Sequence, residues 1–164
     1  MKKWMFRLVL LAVIAALGFW SWRTFFPNPD RVIRKRLTEL AQLASYNSNE
    51  GAAAKLINSQ KLASFFTPDV SIHVDVPGYE QTFSGRDELG RRAFMARQLS
   101  SLTVQLFDIV LTIAPDKQSA MADLTARAKV SGDPDLIVQE LKVALKKNGS
   151  DWLISRVETE KTLR

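Results

Sequence analysis

A chain of 164 residues with 46% hydrophobic and 24% charged residues is ordinary for one compact domain and long enough to bury a real core. Of the formal net charge of +6, Lys2, Lys3, Arg7 and Arg23 put +4 on residues 1–29, which hold no acid, so the remainder is nearly balanced and a phosphate-tracking nucleic-acid surface is not indicated. Cysteine is absent and there is one histidine, His73. This excludes disulfides, thiolate metal sites, a cysteine nucleophile, a cysteine-linked lipid anchor and a multi-histidine metal site within one chain. No loop with oxygen-ligand spacing and no cofactor motif is visible either.

The N-terminus, MKKWMFRLVLLAVIAALGFWSWR, has a basic tip followed by an uncharged run from Leu8 to Trp22. That run is slightly short of the roughly 20 residues that span a bilayer. Trp4, Met5 and Phe6 extend it if Arg7 snorkels to the headgroups, and Phe19, Trp20 and Trp22 sit where an interfacial aromatic belt would lie. Residues 1–23 are therefore expected to be an uncleaved signal anchor, in contact with the membrane through residues 4–22. The alternative is a secretory signal cleaved after Ala16-Leu17-Gly18, which would release the protein. Bulky aromatics directly after that site favour the anchor. A short basic tail ahead of an apolar run sends the following domain out of the cytoplasm, although Arg23, Arg31, Arg34, Lys35 and Arg36 weaken the charge asymmetry.

Pro27 and Pro29 make residues 24–29 a stiff linker, after which Asp30 can cap a fresh helix. From Asp30 to Ser45, Ile33, Leu37, Leu40, Leu43 and Ala44 recur at three- and four-residue steps, the pattern of an amphipathic helix. Its Arg31, Arg34, Lys35 and Arg36 read either as a solvated face or as contacts to anionic headgroups. Tyr46 to Glu50 is a polar break. A second helix is expected over Gly51–Phe66, stopped by Thr67-Pro68.

Val70, Ile72, Val74 and Val76 then alternate with Ser71, His73 and Asp75, a half-buried strand. Pro77-Gly78 turns the chain into a short strand over Tyr79–Phe83. Ser84-Gly85-Arg86-Asp87 resembles a capping box, opening a helix to Leu99 that buries Leu89, Ala93, Ala96 and Leu99. From Leu102 the period changes to two. Strands are expected over 102–113, 120–130, 137–147 and 152–159, separated by Ala114-Pro115-Asp116, Gly132-Asp133-Pro134 and Asn148-Gly149. The fold class is α+β: three helices packed on a curved antiparallel sheet, with residues 30–164 as one domain.

Several of these residues resemble the nuclear transport factor 2-like superfamily, which includes SnoaL-like polyketide cyclases and ketosteroid isomerases. They are the two helices ending in Phe65-Phe66, then Pro68-Asp69-Val70-Ser71-Ile72, Pro77-Gly78, Ser84-Gly85-Arg86-Asp87-Glu88-Leu89, and Asn148-Gly149 before Trp152-Leu153-Ile154. The resemblance covers 30–164 and implies a cystatin-like cone, a pocket at its wide end and dimers through the outer sheet face. It does not fix function. A general-base aspartate of the isomerases would fall at Asp75 or Val74, their oxyanion-donating acid falls on Lys142 or Val143, and their first-helix tyrosine has no counterpart. The aspartate–arginine–aspartate set of limonene epoxide hydrolase-like members has possible equivalents in Asp108, Arg127 and Asp123.

No complete catalytic set is visible. His73 and Asp75 are the candidates for one, because residues two apart on a strand project about 7 Å apart from one face, and a carboxylate can orient an imidazole as a base. The competing reading makes them the outward side of a half-buried strand. On the last strands, Asp108, Asp123, Arg127, Lys129, Glu140, Lys142, Arg156 and Glu158 lie opposite more apolar positions, and Val104, Leu106, Val110 and Met121 are expected among them. Trp152 is expected in the core. Two functions follow: a membrane-anchored small-molecule-binding or assembly module, forming a homodimer or engaging an envelope protein, or a small lyase, isomerase or hydrolase acting on an apolar substrate.

Overall fold

The computed structural model describes residues 28–76 and 79–160, the side chains of Val76 and Tyr79 excepted. The expected anchor over 1–23, most of the linker and the Pro77-Gly78 turn lie outside the described residues. No helix among the described residues is long and apolar enough to cross a membrane.

Helix α1 spans Pro29–Ala44. Asn28, rather than Asp30, caps it, its side-chain oxygen accepting from the Asp30 amide at 3.1 Å. Pro29 at the first helical position has no N–H to leave unpaired. Asp30 instead pairs with Arg34 one turn on, at 2.9 Å. Ile33, Leu37 and Ala41, each four residues apart, form the buried stripe. Helix α2 is shorter than its apolar pattern suggests, Ala52–Ala63. Phe65 and Phe66 are buried outside it, and Phe66 already begins strand β1, Phe66–Val76.

Strand β2 is Tyr79–Ser84, followed by helix α3, Arg86–Leu99. The capping box does not form: Ser84 stays in the strand, and Gly85 is the cap residue with φ +92°, where a side chain would strain the backbone. Its amide donates to the Val70 carbonyl at 2.8 Å, tying the start of α3 to β1. Leu99, expected to be buried, is 85% exposed, whereas Arg97 is 1% exposed. The approach of α2 to α3 is close, since a Cβ on Gly90 would meet that of Ala63 at 3.4 Å.

Strands β3 (Leu102–Ile113), β4 (Ser119–Val130), β5 (Leu136–Asn148) and β6 (Asp151–Thr159) complete one six-stranded sheet of order β2-β1-β6-β5-β4-β3. The antiparallel expectation needs correction here, because β1 and β6 pair in parallel and the sheet is mixed. The tight turn at Gly149, φ +62°, makes β6 antiparallel to β5, and α3 carries the chain from β2 across to the far edge at β3. The last strand is thereby left between β5 and β1.

Three register shifts bend the sheet: within the β1–β6 pair, between Phe107 and Val110 on β3, and between Ala144 and Leu145 on β5. At the second, Asp108 takes φ +52°, a left-handed conformation that aspartate tolerates better than most residues. The three helices cover one face of this curved sheet. Ile33 and Leu37 of α1 join Phe65, Phe66, Val70, Ala122, Leu124, Val143, Leu145, Trp152 and Ile154 in one core, so Trp152 is buried as expected.

Candidate functional site: the outer face of the sheet

Side chains alternate along β1, and the buried Val70 and partly buried Ile72 define its inward side. His73 and Asp75 therefore leave the opposite, outer face. His73 Nδ1 lies 2.9 Å from the Thr82 hydroxyl of β2. The Asp75 amide donates to Thr159 Oγ1 at 2.7 Å, and that hydroxyl donates back to the Asp75 carbonyl at 3.1 Å. Of the isomerase-like positions, Val74 and Val143 face inward and Asp75 and Lys142 face outward, Val143 being buried. The inward side at these positions is thus aliphatic.

Register places six outer side chains in one row across all six strands. It runs Thr82, His73, Glu158, Lys142, Asp123 and Val110, each the direct cross-strand partner of the next. A second row beside it runs Ser84, Ser71, Arg156, Ala144, Met121 and Thr112. Opposite charges meet along and between the rows. Lys142 Nζ reaches Glu160 at 2.5 Å and Asp123 at 3.8 Å, and Arg156 lies 3.4 Å from Glu158.

The hydrogen bond that Lys142 donates to Glu160, with the charges of Glu160, Asp123 and Glu158, holds the Lys142 ammonium above its ordinary pKa of 10.5. A raised pKa favours the charged form in the folded state. The stabilisation is complete below pH 10.5 and is lost only as pH rises through the folded pKa, so the cluster is intact at neutral pH. Solvent screens exposed pairs of this kind, so the cluster fixes register more than it adds stability.

The bulge at Asp108 corrects the expected apolar membership of this face. Before it, Val104 and Leu106 pair with Ala128 and Ala126 on the inward side; after it, Val110 pairs with Asp123 on the outer side. Val110 is 60% and Met121 36% exposed. Asp108 and Asp123 line one small open cleft of about 170 Å³ with Glu140 and Glu160, but the Arg127 guanidinium lies over the Phe107 ring, 4.4 Å from its centre. The epoxide hydrolase-like trio is accordingly split between two sets of partners. A second open cleft, about 310 Å³, is lined by Thr112, Met121, Ala144, Lys146 and Ser155. Among the described residues no three His, Asp or Glu side chains converge as metal ligands.

Arg97 was not legible as a special residue. It lies four after Ala93 and eight after Leu89, on the stripe expected to be apolar, and that spacing is the only signal that separates it from Arg91 and Arg92. Its guanidinium is held by Glu50 at 3.2 Å, by the Leu43 carbonyl and by the face of Tyr46, 4.8 Å away. It binds the end of α3 to the end of α1.

No family model matches the sequence, and no curated protein matches it. Solved structures do. A protein assigned as a scytalone dehydratase from Novosphingobium aromaticivorans superposes with a TM-score of 0.59 at 13% identity, over 81% of this chain and 83% of that one. A nuclear transport factor 2-like protein with a cystatin-like fold from the same organism gives 0.58 at 15%, over 92% and 88%. The yeast UBP3-associated protein Bre5 gives 0.59 at 16%, over 82% and 97%. These identities speak to architecture: the chain has the α+β, cystatin-like cone fold of nuclear transport factor 2-like proteins.

Proposed function

We propose that the chain is a membrane-anchored assembly module of the nuclear transport factor 2-like superfamily, tethered by residues 4–22 and pairing with a second copy through its outer sheet face on the extracytoplasmic side. The observation that carries this reading is the six-strand row from Thr82 to Val110. It sets interleaved charges beside the exposed Val110 and Met121, a mixture that gives a protein interface both register and apolar area. An envelope protein with a matching face would use the same row. Bre5, by its name a partner of UBP3, and a protein assigned as a dehydratase share the fold, so architecture alone does not choose between assembly and catalysis. Acid–base chemistry in the cone would need a titratable group facing the helices. The aliphatic Val74 and Val143 at the inward positions favour assembly.

Sedimentation of the full chain in detergent micelles is expected to give a dimer, which Met121→Arg converts to monomer while far-ultraviolet circular dichroism stays unchanged. A wild-type chain that remains monomeric at high concentration sinks the reading.

A further inference from the structure

The outer face carries a hole beside a knob. Ala144 has the smallest side chain of its row, and the sheet is irregular next to it. Ser155 falls between the pairs Ala144–Arg156 and Leu145–Ile154, so β6 has one residue more than β5 there, and its hydroxyl donates to the Ala144 carbonyl at 3.3 Å. The result is the open cleft of about 310 Å³ lined by Ala144, Ser155, Thr112 and Lys146. Met121, the direct β4 neighbour of Ala144, stands exposed at its rim. Two residues along β4, Asp123 Oδ1 is shielded from solvent and has no hydrogen bond among the described residues, the ammonium of Lys142 staying at 3.8 Å.

Two copies that meet through one face are related by a twofold axis, so that whenever residue i of one touches residue j of the other, j also touches i. Stacked sheets keep their strands roughly aligned, and an axis lying between them along the strands reverses each outer row against itself. The order of charges then tests each placement. An axis over β5 opposes Lys142 with itself, and one over β6 opposes Glu158 with itself. Between β5 and β6 it opposes Glu140 with Glu160, and between β6 and β1 it opposes Glu160 with Asp75. Between β4 and β5, no like charges of the described residues stand directly opposite each other. Asp123 meets the partner's Lys142, Met121 meets the partner's Ala144, Thr112 meets the partner's Arg156 and Thr125 meets the partner's Glu140. An axis across the strands, between the two rows, would pair Arg156 with Glu158 but set Met121 against Asp123 and cover the cleft with Lys142.

We infer that two copies of this chain pair about an axis along the strands between β4 and β5, each Met121 entering the cleft over the partner's Ala144 and each Asp123 taking the partner's Lys142. A thioether chain is flexible enough to fill so irregular a hole, and the ion pair gives the shielded Asp123 oxygen its missing donor. The two Met121 side chains flank the axis, one strand spacing apart along the face. The inference deepens the assembly role and rests on it, fixing which strands meet.

The test mixes single variants of this chain in detergent micelles at about 0.3 M salt, where only near charges count, and follows dimer dissociation by sedimentation. Asp123→Lys and Lys142→Glu should each weaken the dimer by about tenfold or more. Mixed together they should recover to within about threefold of the wild type, because both contacts of the mixed dimer pair opposite charges while the pair within each chain stays broken. A mixture of Glu158→Lys with Lys142→Glu should not recover. An uncharged pair tests the cleft separately: Ala144→Phe should weaken the dimer, and mixing with Met121→Ala should restore it. Recovery with Glu158→Lys, or none in either of the other mixtures, overturns this pairing while the wild-type dimer stands. A monomeric wild type overturns the assembly role and the pairing with it.

Discussion

Replacing Arg97 with alanine is expected to destabilise the fold by about 3 kcal/mol, lowering the unfolding midpoint by roughly 6–12 °C. The reason is burial without alternatives. The guanidinium is 1% exposed, its Nε lacks a partner, and its remaining donors are committed to Glu50 and the Leu43 carbonyl. Taking it away leaves Glu50, only 23% exposed, without its cation, and the α1 carbonyl without a donor. It also opens a hole against the Tyr46 ring. Arg97→Lys should recover only part of the loss, because an ammonium lacks the planar fork that reaches a carboxylate and a carbonyl together. The double replacement Arg97→Met, Glu50→Gln should be less damaging than Arg97→Ala, since neither charge is left stranded. Thermal unfolding followed by near-ultraviolet circular dichroism checks the series. A loss below about 1 kcal/mol for Arg97→Ala would mean that the pair behaves as an exposed one.

Leu37→Ala is expected to cost about 3 kcal/mol, within the 2–5 kcal/mol range of large-to-small changes in a packed core. Leu37 sits mid-way along α1 with 1% exposure, between Ile33 and Ala41, and belongs to the core that joins α1 to the sheet. The surrounding backbone is fixed by β-strand pairing and cannot collapse far into the gap. Leu56→Ala, at 48% exposure on α2, should change stability by no more than about 0.5 kcal/mol. The contrast between two leucines of equal size isolates burial as the cause. Urea unfolding of each variant gives both numbers, and similar losses for the two would contradict the assignment of the core to the α1–sheet layer.

How far the sequence reaches can be seen at individual residues. Two-residue alternation located β3 to β6, and Asn148-Gly149 located the last hairpin, because side-chain period and left-handed turn chemistry are local properties. Ile33 and Leu37 were legible for the same reason. What failed was decided at a distance. The parallel pairing of β1 with β6 joins residues more than eighty apart, and no periodicity encodes it. The bulge at Asp108 reverses the faces of β3, so that Val104 and Leu106 lie inward while Val110 keeps its expected outer place, although the alternation through it looks unbroken. Phe65 and Phe66 looked like the end of a helix because an apolar pair suits either a helix stripe or a strand start. Arg97 was concealed by composition: four arginines on one helix look alike until tertiary packing buries one. The candidate site was legible only as an alternation, with His73 and Asp75 on one face of β1; which face required the whole sheet.

The absence of cysteine from the chain offers the most direct measurement of the central claim, that the outer sheet face is the surface of assembly. Single cysteines are placed in this chain at Met121, on that face, and at Lys117, in the β3–β4 turn, and mild oxidation of the purified protein is followed by non-reducing electrophoresis. Met121→Cys should give a disulfide-linked dimer and Lys117→Cys should not. A Met121→Cys protein that stays monomeric, or dimers formed equally from both positions, would contradict the account.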